Sequence, residues 1–340
     1  MKKLLKFIFY TFLGFIGTIV LLLLISLAFS FKTYPVTYGI SFNQQQAEYL
    51  NGDWKKVYET MLSELRPPYI RIAAMWSEVE VEKGVYNFAD VDWMMEKAGE
   101  FETEVLLVVG QKAPRWPECH VPNWVESVSK EEKRTAQLAY VQAVVERYKD
   151  HPALEWWQVE NEPFIGFKFG DCEQYDSSLI YQEVQLVKQL DPDRKIVVTD
   201  SGELSTWHKS TQVGDVFGTT LYRMVRTPNN MIFSYDWLPA GYYFLKSRLW
   251  GKTYDNFIVA ELQAEPWFTD GSAHKTPIDV QEETMNLERM EKHIEYVTRT
   301  GASRAYLWGV EWWYWMKENQ GDSRYWDVVG GVFRNREITK

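Results

Sequence analysis

Cysteine is nearly missing from this chain of 340 residues, which holds two, Cys119 and Cys172. That scarcity excludes a disulfide-dense scaffold and any Cys-x-x-Cys metal or redox motif. Positive charge is also short, with 37 Lys and Arg against 47 Asp and Glu and a net charge of −10. An acidic surface repels phosphate backbones and no basic stripe interrupts this one, so nucleic acid is not an expected partner. The five histidines form neither His-x-His on a strand nor His-Glu-x-x-His on a helix, which leaves a catalytic metal site without support. Phosphate-cradling Gly-x-x-x-x-Gly-Lys and Gly-x-Gly-x-x-Gly patterns are missing too, and so is a Gly-x-Ser-x-Gly elbow; no cofactor is expected. Past the N-terminal segment there is no low-complexity tract, no Pro/Gly-rich linker and no short-period repeat, so residues 32–340 read as one domain. Aromatic residues are plentiful instead. The 16 Trp, 20 Tyr and 18 Phe carry too much apolar area for a disordered chain and suit a protein that stacks flat faces on a ligand.

Residues 1–31 differ from the rest. Lys2, Lys3 and Lys6 precede an uncharged run from Phe7 to Phe31, about 38 Å of helix against a hydrocarbon core of about 30 Å. Three lysines lie before the run and Lys32 alone follows it closely, which predicts a single-pass signal anchor with a cytoplasmic N-terminus and the domain outside the cell membrane. The alternative is a cleaved signal peptide and a secreted domain, since Ser26-Leu27-Ala28 has small residues at the right spacing. The run is longer than the usual apolar stretch of such peptides and favours the anchor.

From residue 33 onward short β-branched or aromatic runs alternate with longer segments of helical period, the pattern of a parallel sheet with crossover helices. Eight strands are predicted, near 36–42, 69–73, 104–109, 154–159, 195–199, 216–221, 257–260 and 304–307, and eight suggest a closed (β/α)₈ barrel. Asp53 and Ser129 are expected to start helices, Asp191-Pro192 to stop one and Gly301 to cap another. Residues 223–250 are expected to be irregular.

In a parallel barrel the chemistry sits where strands end. The fourth strand runs into Glu160-Asn161-Glu162-Pro163 and the seventh into Glu261-Leu262-Gln263, so two glutamates face one another across the mouth. Carboxyls about 5–5.5 Å apart are what retaining glycoside hydrolysis requires, one protonated to give a proton and one ionised to attack. On these residues the sequence resembles the clan A retaining glycoside hydrolases, in particular families 5, 39 and 42, over essentially all of residues 33–340. The resemblance implies that Glu162 of Asn161-Glu162-Pro163 is the general acid/base, that Asn161 binds the sugar 2-hydroxyl and that Glu261 is the nucleophile. It further implies that Arg71 and Tyr222 steady Glu261, that Trp308 is a platform under the reacting sugar and that the bond cleaved is β-linked. Thr220 stands where some families of the clan have histidine. Trp116 is a second candidate platform from its place in a rim loop, beside Trp124, Trp207, Trp267 and Trp312.

Each role has a structural counterpart. Glu265 could replace Glu261 if the seventh strand runs longer, Glu160 could be a buried partner of Arg71, and Arg71 could simply neutralise buried acids. Cys119 and Cys172 fall in neighbouring loops, where a disulfide and two free thiols are both open. A transglycosylase shares every residue named, and a glycan-binding barrel without catalysis is the reading from another class.

Overall fold

The computed structural model describes residues 2–167, 170–172, 175–227, 229–269 and 271–334. Eight parallel strands close into a barrel: β1 (Thr37–Ser41), β2 (Tyr69–Ala73), β3 (Glu104–Val109), β4 (Leu154–Val159), β5 (Ile196–Asp200), β6 (Val216–Leu221), β7 (Phe257–Gln263) and β8 (Arg304–Trp308). Each pairs with its neighbours in sequence, and β1 closes the ring by pairing with β8 from Thr37 against Arg304 to Ser41 against Trp308. All eight lie where the sequence predicts them, with β7 reaching three residues further than expected, to Gln263.

Helices cover the outside as the caps foretell. Asp53 accepts from the Lys56 N–H ahead of helix Trp54–Thr60, and Ser129 accepts from the Glu132 N–H ahead of helix Lys130–Tyr148. Gly301 is not the cap expected of it: helix Leu287–Val297 ends at Thr298, and Gly301, at φ +78°, turns the chain into β8 instead. The stretch expected to be irregular holds an antiparallel hairpin, Met224–Arg226 with Ile232–Ser234, and a helix, Gly241–Leu249. Trp207 and Trp312, candidates for the rim, are fully buried in the core.

Inward-facing side chains sort by height. Leu106, Val197, Val216, Ile258 and Tyr306 form a small apolar layer low in the barrel. Below it Arg304 lies over the rings of Tyr69 and Trp156 and pairs with Glu155, sealing the floor. Above it the interior turns polar, with Arg71, Gln158 and Glu261 all buried.

The N-terminal helix, Lys2–Phe29, is long and apolar enough to cross a membrane. Its C-terminal end touches the barrel. Ser30 Oγ accepts from the Gly241 N–H at 2.7 Å, and the rings of Phe29 and Tyr34 both stack on Phe244. A Cβ at Gly241 would stand 2.0 Å from the Ser26 carbonyl oxygen, so this contact needs glycine.

Candidate active site

Two local distortions build the mouth. Along β4 Trp156 and Gln158 point inward while Trp157 and Val159 pack outward against helices. Strict alternation would then turn Glu160 and Glu162 inward together. Instead Glu160 takes φ +61° and Glu162 φ +45°, left-handed conformations that cost non-glycine residues on the order of 1–3 kcal/mol each. Glu160 is thereby swung out of the barrel. It accepts from the Gln111 and Lys112 backbone N–H groups, both at 2.7 Å, and Gln137 donates both to it and to Glu183. The expected pairing of Glu160 with Arg71 is therefore not made, because the reversal at Glu160 faces the carboxylate away from the arginine. Gly110 gives it room, since a Cβ there would lie 2.6 Å from Glu160 Oε1.

In β7 the register against β6 slips between Thr219, opposite Val259, and Thr220, opposite Glu261. Ile258 faces the barrel and Val259 and Leu262 face outward, so the bulge is what returns Glu261 to the inside. There Arg71 Nη1 donates to Glu261 Oε1 and the Tyr222 hydroxyl to Oε2, both at 2.9 Å. Arg71 also donates to Gln158 and Asn161, each at 2.8 Å, which ties the ends of β2, β4 and β7 together.

Glu162 has different company. Among the described residues its carboxyl accepts from the Thr220 hydroxyl at 3.2 Å, and its backbone N–H donates to Thr199 Oγ1 at 2.9 Å. Burial pushes its carboxyl well above the usual range, and the charges of Glu261 and Glu118 add to the rise. Glu118, in the loop after β3, is buried and sits at φ +72°, and the Asn161 amide approaches it at 3.4 Å. Burial pushes its carboxyl up to about 7, against the pull of Lys112.

The structure thus brings together Glu162, Glu261, Arg71, Asn161 and Tyr222. Trp308 ends β8 at the same mouth, with its Nε1 donating to Glu265 and the Arg115 guanidinium lying over its ring at 4.3 Å. Glu265, the alternative to Glu261, is held by that tryptophan and by two N–H groups of Arg115, which also pairs with Glu311. Trp116 stands exposed in the loop after β3, next in sequence to Arg115. Glu118, Lys112, Thr199 and Arg115 are absent from the sequence-level site. None belongs to a motif; the hint for Glu118 was its neighbour Cys119. A Cys119–Cys172 disulfide clips the loop after β3 to the loop after β4.

Comparison with known proteins agrees with this architecture. The sequence model of the β-galactosidase family, glycoside hydrolase family 42, matches residues 44–178, from the helix after β1 to the loop after β4. Among solved structures the barrel resembles xylanase 10B of Thermotoga maritima, with a TM-score of 0.58 at 14% identity over 90% of this chain and 97% of that one. It also resembles a β-galactosidase of the psychrophilic Marinomonas ef1, with a TM-score of 0.54 at 12% identity over 80% of this chain and 54% of that one. A GH5_18 protein of Streptomyces cattleya, in complex with GlcNAc, gives 0.55 at 11% identity over 82% and 71%. At these identities the structures share the fold; the chain spans about half the length of the β-galactosidase. No curated protein matches in sequence. The shared fold is the (β/α)₈ barrel, the architecture of these glycoside hydrolases. Among them, the sequence match of residues 44–178 is to family 42.

Proposed function

We propose that the protein is a retaining glycoside hydrolase that cleaves a β-linked glycan through a covalent glycosyl-enzyme. The observation that carries the reading is a pair of buried carboxyls at the ends of β4 and β7 in unlike surroundings: Glu261 against a guanidinium at 2.9 Å, Glu162 against a hydroxyl and other acids. In the first step the Glu261 carboxylate attacks the anomeric carbon while the glycosidic C–O bond breaks and Glu162 gives its proton to the leaving oxygen. In the second, water attacks the same carbon, Glu162 takes the water's proton and Glu261 leaves. Arg71 and Tyr222 fix both oxygens of Glu261 for in-line attack. Asn161, held by Arg71, is the group for the 2-hydroxyl, and Trp308 and Trp116 are the stacking surfaces. Residues 1–31 act as a membrane anchor and 32–340 as the catalytic domain.

The test is product analysis on a panel of β-galactosides, β-glucans, mannans and xylans, with β-galactosides first because of the family match. The expected result is release of the β-anomer, seen by proton NMR before mutarotation, with Glu261→Gln and Glu162→Gln lower by several orders of magnitude. Binding without cleavage across the panel would overturn the proposal, and transfer to sugar acceptors in place of water would make the protein a transglycosylase.

A further inference from the structure

Large apolar side chains exposed on this barrel are unevenly placed. Outside the N-terminal segment, the floor end shows two among the described residues, Phe101 and Leu249. At the mouth end the loop after β6 alone shows four: Met231, Ile232, Phe233 and Trp237, with Met231 61% and Trp237 60% exposed. Leu204 joins them from the loop after β5, the strand next to β6. The hairpin that carries three of them is firmly seated. Gln263 exchanges two hydrogen bonds with the Met224 backbone, Arg226 pairs with Glu283, and Arg223 donates to the Tyr235 and Leu238 carbonyls. A pinned base and an apolar tip in water is a costly arrangement unless something covers the tip. Phe233 and Trp237 have rings that a pyranose could stack on, but Met231, Ile232 and Leu204 beside them are aliphatic and offer none, a mixture that suits an apolar medium better than a sugar.

The N-terminal helix indicates what covers it. Helix Gly241–Leu249 leads from the hairpin at the mouth to the start of β7 at the floor, so Gly241 is its mouth end. Ser26, Phe29 and Ser30 contact Gly241, while Phe29 and Tyr34 contact Phe244. Moving back along the N-terminal helix therefore leads past Gly241 and beyond the mouth end of the barrel. Trp237 lies four residues before Gly241, within about 14 Å of chain. The hairpin and Trp237 thus stand beside the outer end of the apolar span, at the height of the membrane interface, where tryptophan and aliphatic side chains partition together.

We infer that the loops after β5 and β6 form a second membrane contact, in which Met231, Ile232, Phe233, Trp237 and Leu204 dip into the outer interface of the bilayer that residues 7–31 cross. The inference rests on the anchor reading. Its consequence is that the mouth opens toward the bilayer, so the substrate is a glycan held close to that surface, such as a glycolipid headgroup, rather than a polymer free in solution.

The test uses the full chain in phosphatidylcholine–phosphatidylglycerol vesicles. Both native cysteines are in the disulfide, so a nitroxide can be placed singly through Leu21→Cys, Ile232→Cys, Trp237→Cys or Phe101→Cys. Collision rates with oxygen, which enters lipid, and with a nickel chelate, which does not, then report depth. Labels at 232 and 237 are expected to meet the chelate several-fold less often than the label at 101 and to meet oxygen more often, with 21 the deepest. Chelate access at 232 and 237 equal to that at 101, with 21 shielded, overturns the second contact and leaves the anchor standing. Chelate access at 21 overturns both. Shielding of 232 from chelate and oxygen alike, with spin–spin broadening, assigns the patch to a second copy of the chain and also overturns the inference.

Discussion

Replacing Glu118 by Gln asks whether the acid that shares the mouth with Glu162 and Glu261 sets the pH range of the chemistry. In the wild type Glu118 is neutral below about 7 and gains its charge above that pH. Once charged it opposes loss of the Glu162 proton, because it adds a negative charge to a carboxyl already raised by burial. Glu118 contacts the amide of Asn161, the residue next to Glu162, which sets their separation on the order of 10 Å. With an effective dielectric of about 20, one charge at that range is worth about 1.7 kcal/mol, or roughly one pH unit. Glutamine keeps the shape and the contact with Asn161 but never ionises. The expected result is that the alkaline limb of kcat/KM for an aryl β-glycoside, read from pH 4 to 10 and scaled to each enzyme's maximum, moves down by about one unit. The acid limb should move far less. An alkaline limb that stays in place or moves up would refute the electrostatic coupling.

Other outcomes follow from buried groups. Glu118 and Glu203 are both pushed up to about 7 by burial, so between pH 6.5 and 8 the folded chain holds protons the unfolded one has lost. Stability should therefore fall over that window by about 1–2 kcal/mol in denaturant titrations; below it His120 and His293, pushed down to about 4, act in the opposite sense. Gly110→Ala should destabilise by about 3 kcal/mol or more, because φ is +113° and the new Cβ would meet Glu160, and urea midpoints would show it. Arg71→Met should leave the buried Glu261 carboxylate without its cation at a cost of about 3–5 kcal/mol, measured the same way, and should abolish turnover. Reducing Cys119–Cys172, which spans 53 residues, should lower stability by about 4 kcal/mol in the loop-entropy account, seen as a shift in midpoint with and without reductant.

The fold was legible because each barrel strand is a short, largely buried run of β-branched, aromatic or other apolar residues between longer helical segments, a pattern local enough to read directly. The positions of Glu162 and Glu261 were legible for the same reason, as strand ends. Their directions were not. Alternation along β4 predicts Glu160 and Glu162 on one face, and two left-handed residues separate them; alternation along β7 predicts Glu261 facing outward from Ile258, and a bulge turns it back. Both are backbone irregularities without a residue-type signature, since neither involves glycine. Glu118 and Arg115 escaped notice because their loop is ordered by long-range contacts, a disulfide to residue 172 and ion pairs to residues 265 and 311. The hairpin after β6 was hidden by its brevity, three residues to a strand.

The disulfide also orders events in time. Cys119 is the residue after Glu118, and its partner stands in the loop that follows Glu162, so the clip joins the two stretches that carry mouth acids on β3 and β4. Such a bond persists where thiols are oxidised and is undone where they are kept reduced. A chain folded on the reducing side of a membrane would have a closed barrel and a complete floor but a mouth with one wall unlatched. If the domain lies outside the membrane as proposed, oxidation there closes the clip, and the mouth is completed only in an oxidising compartment.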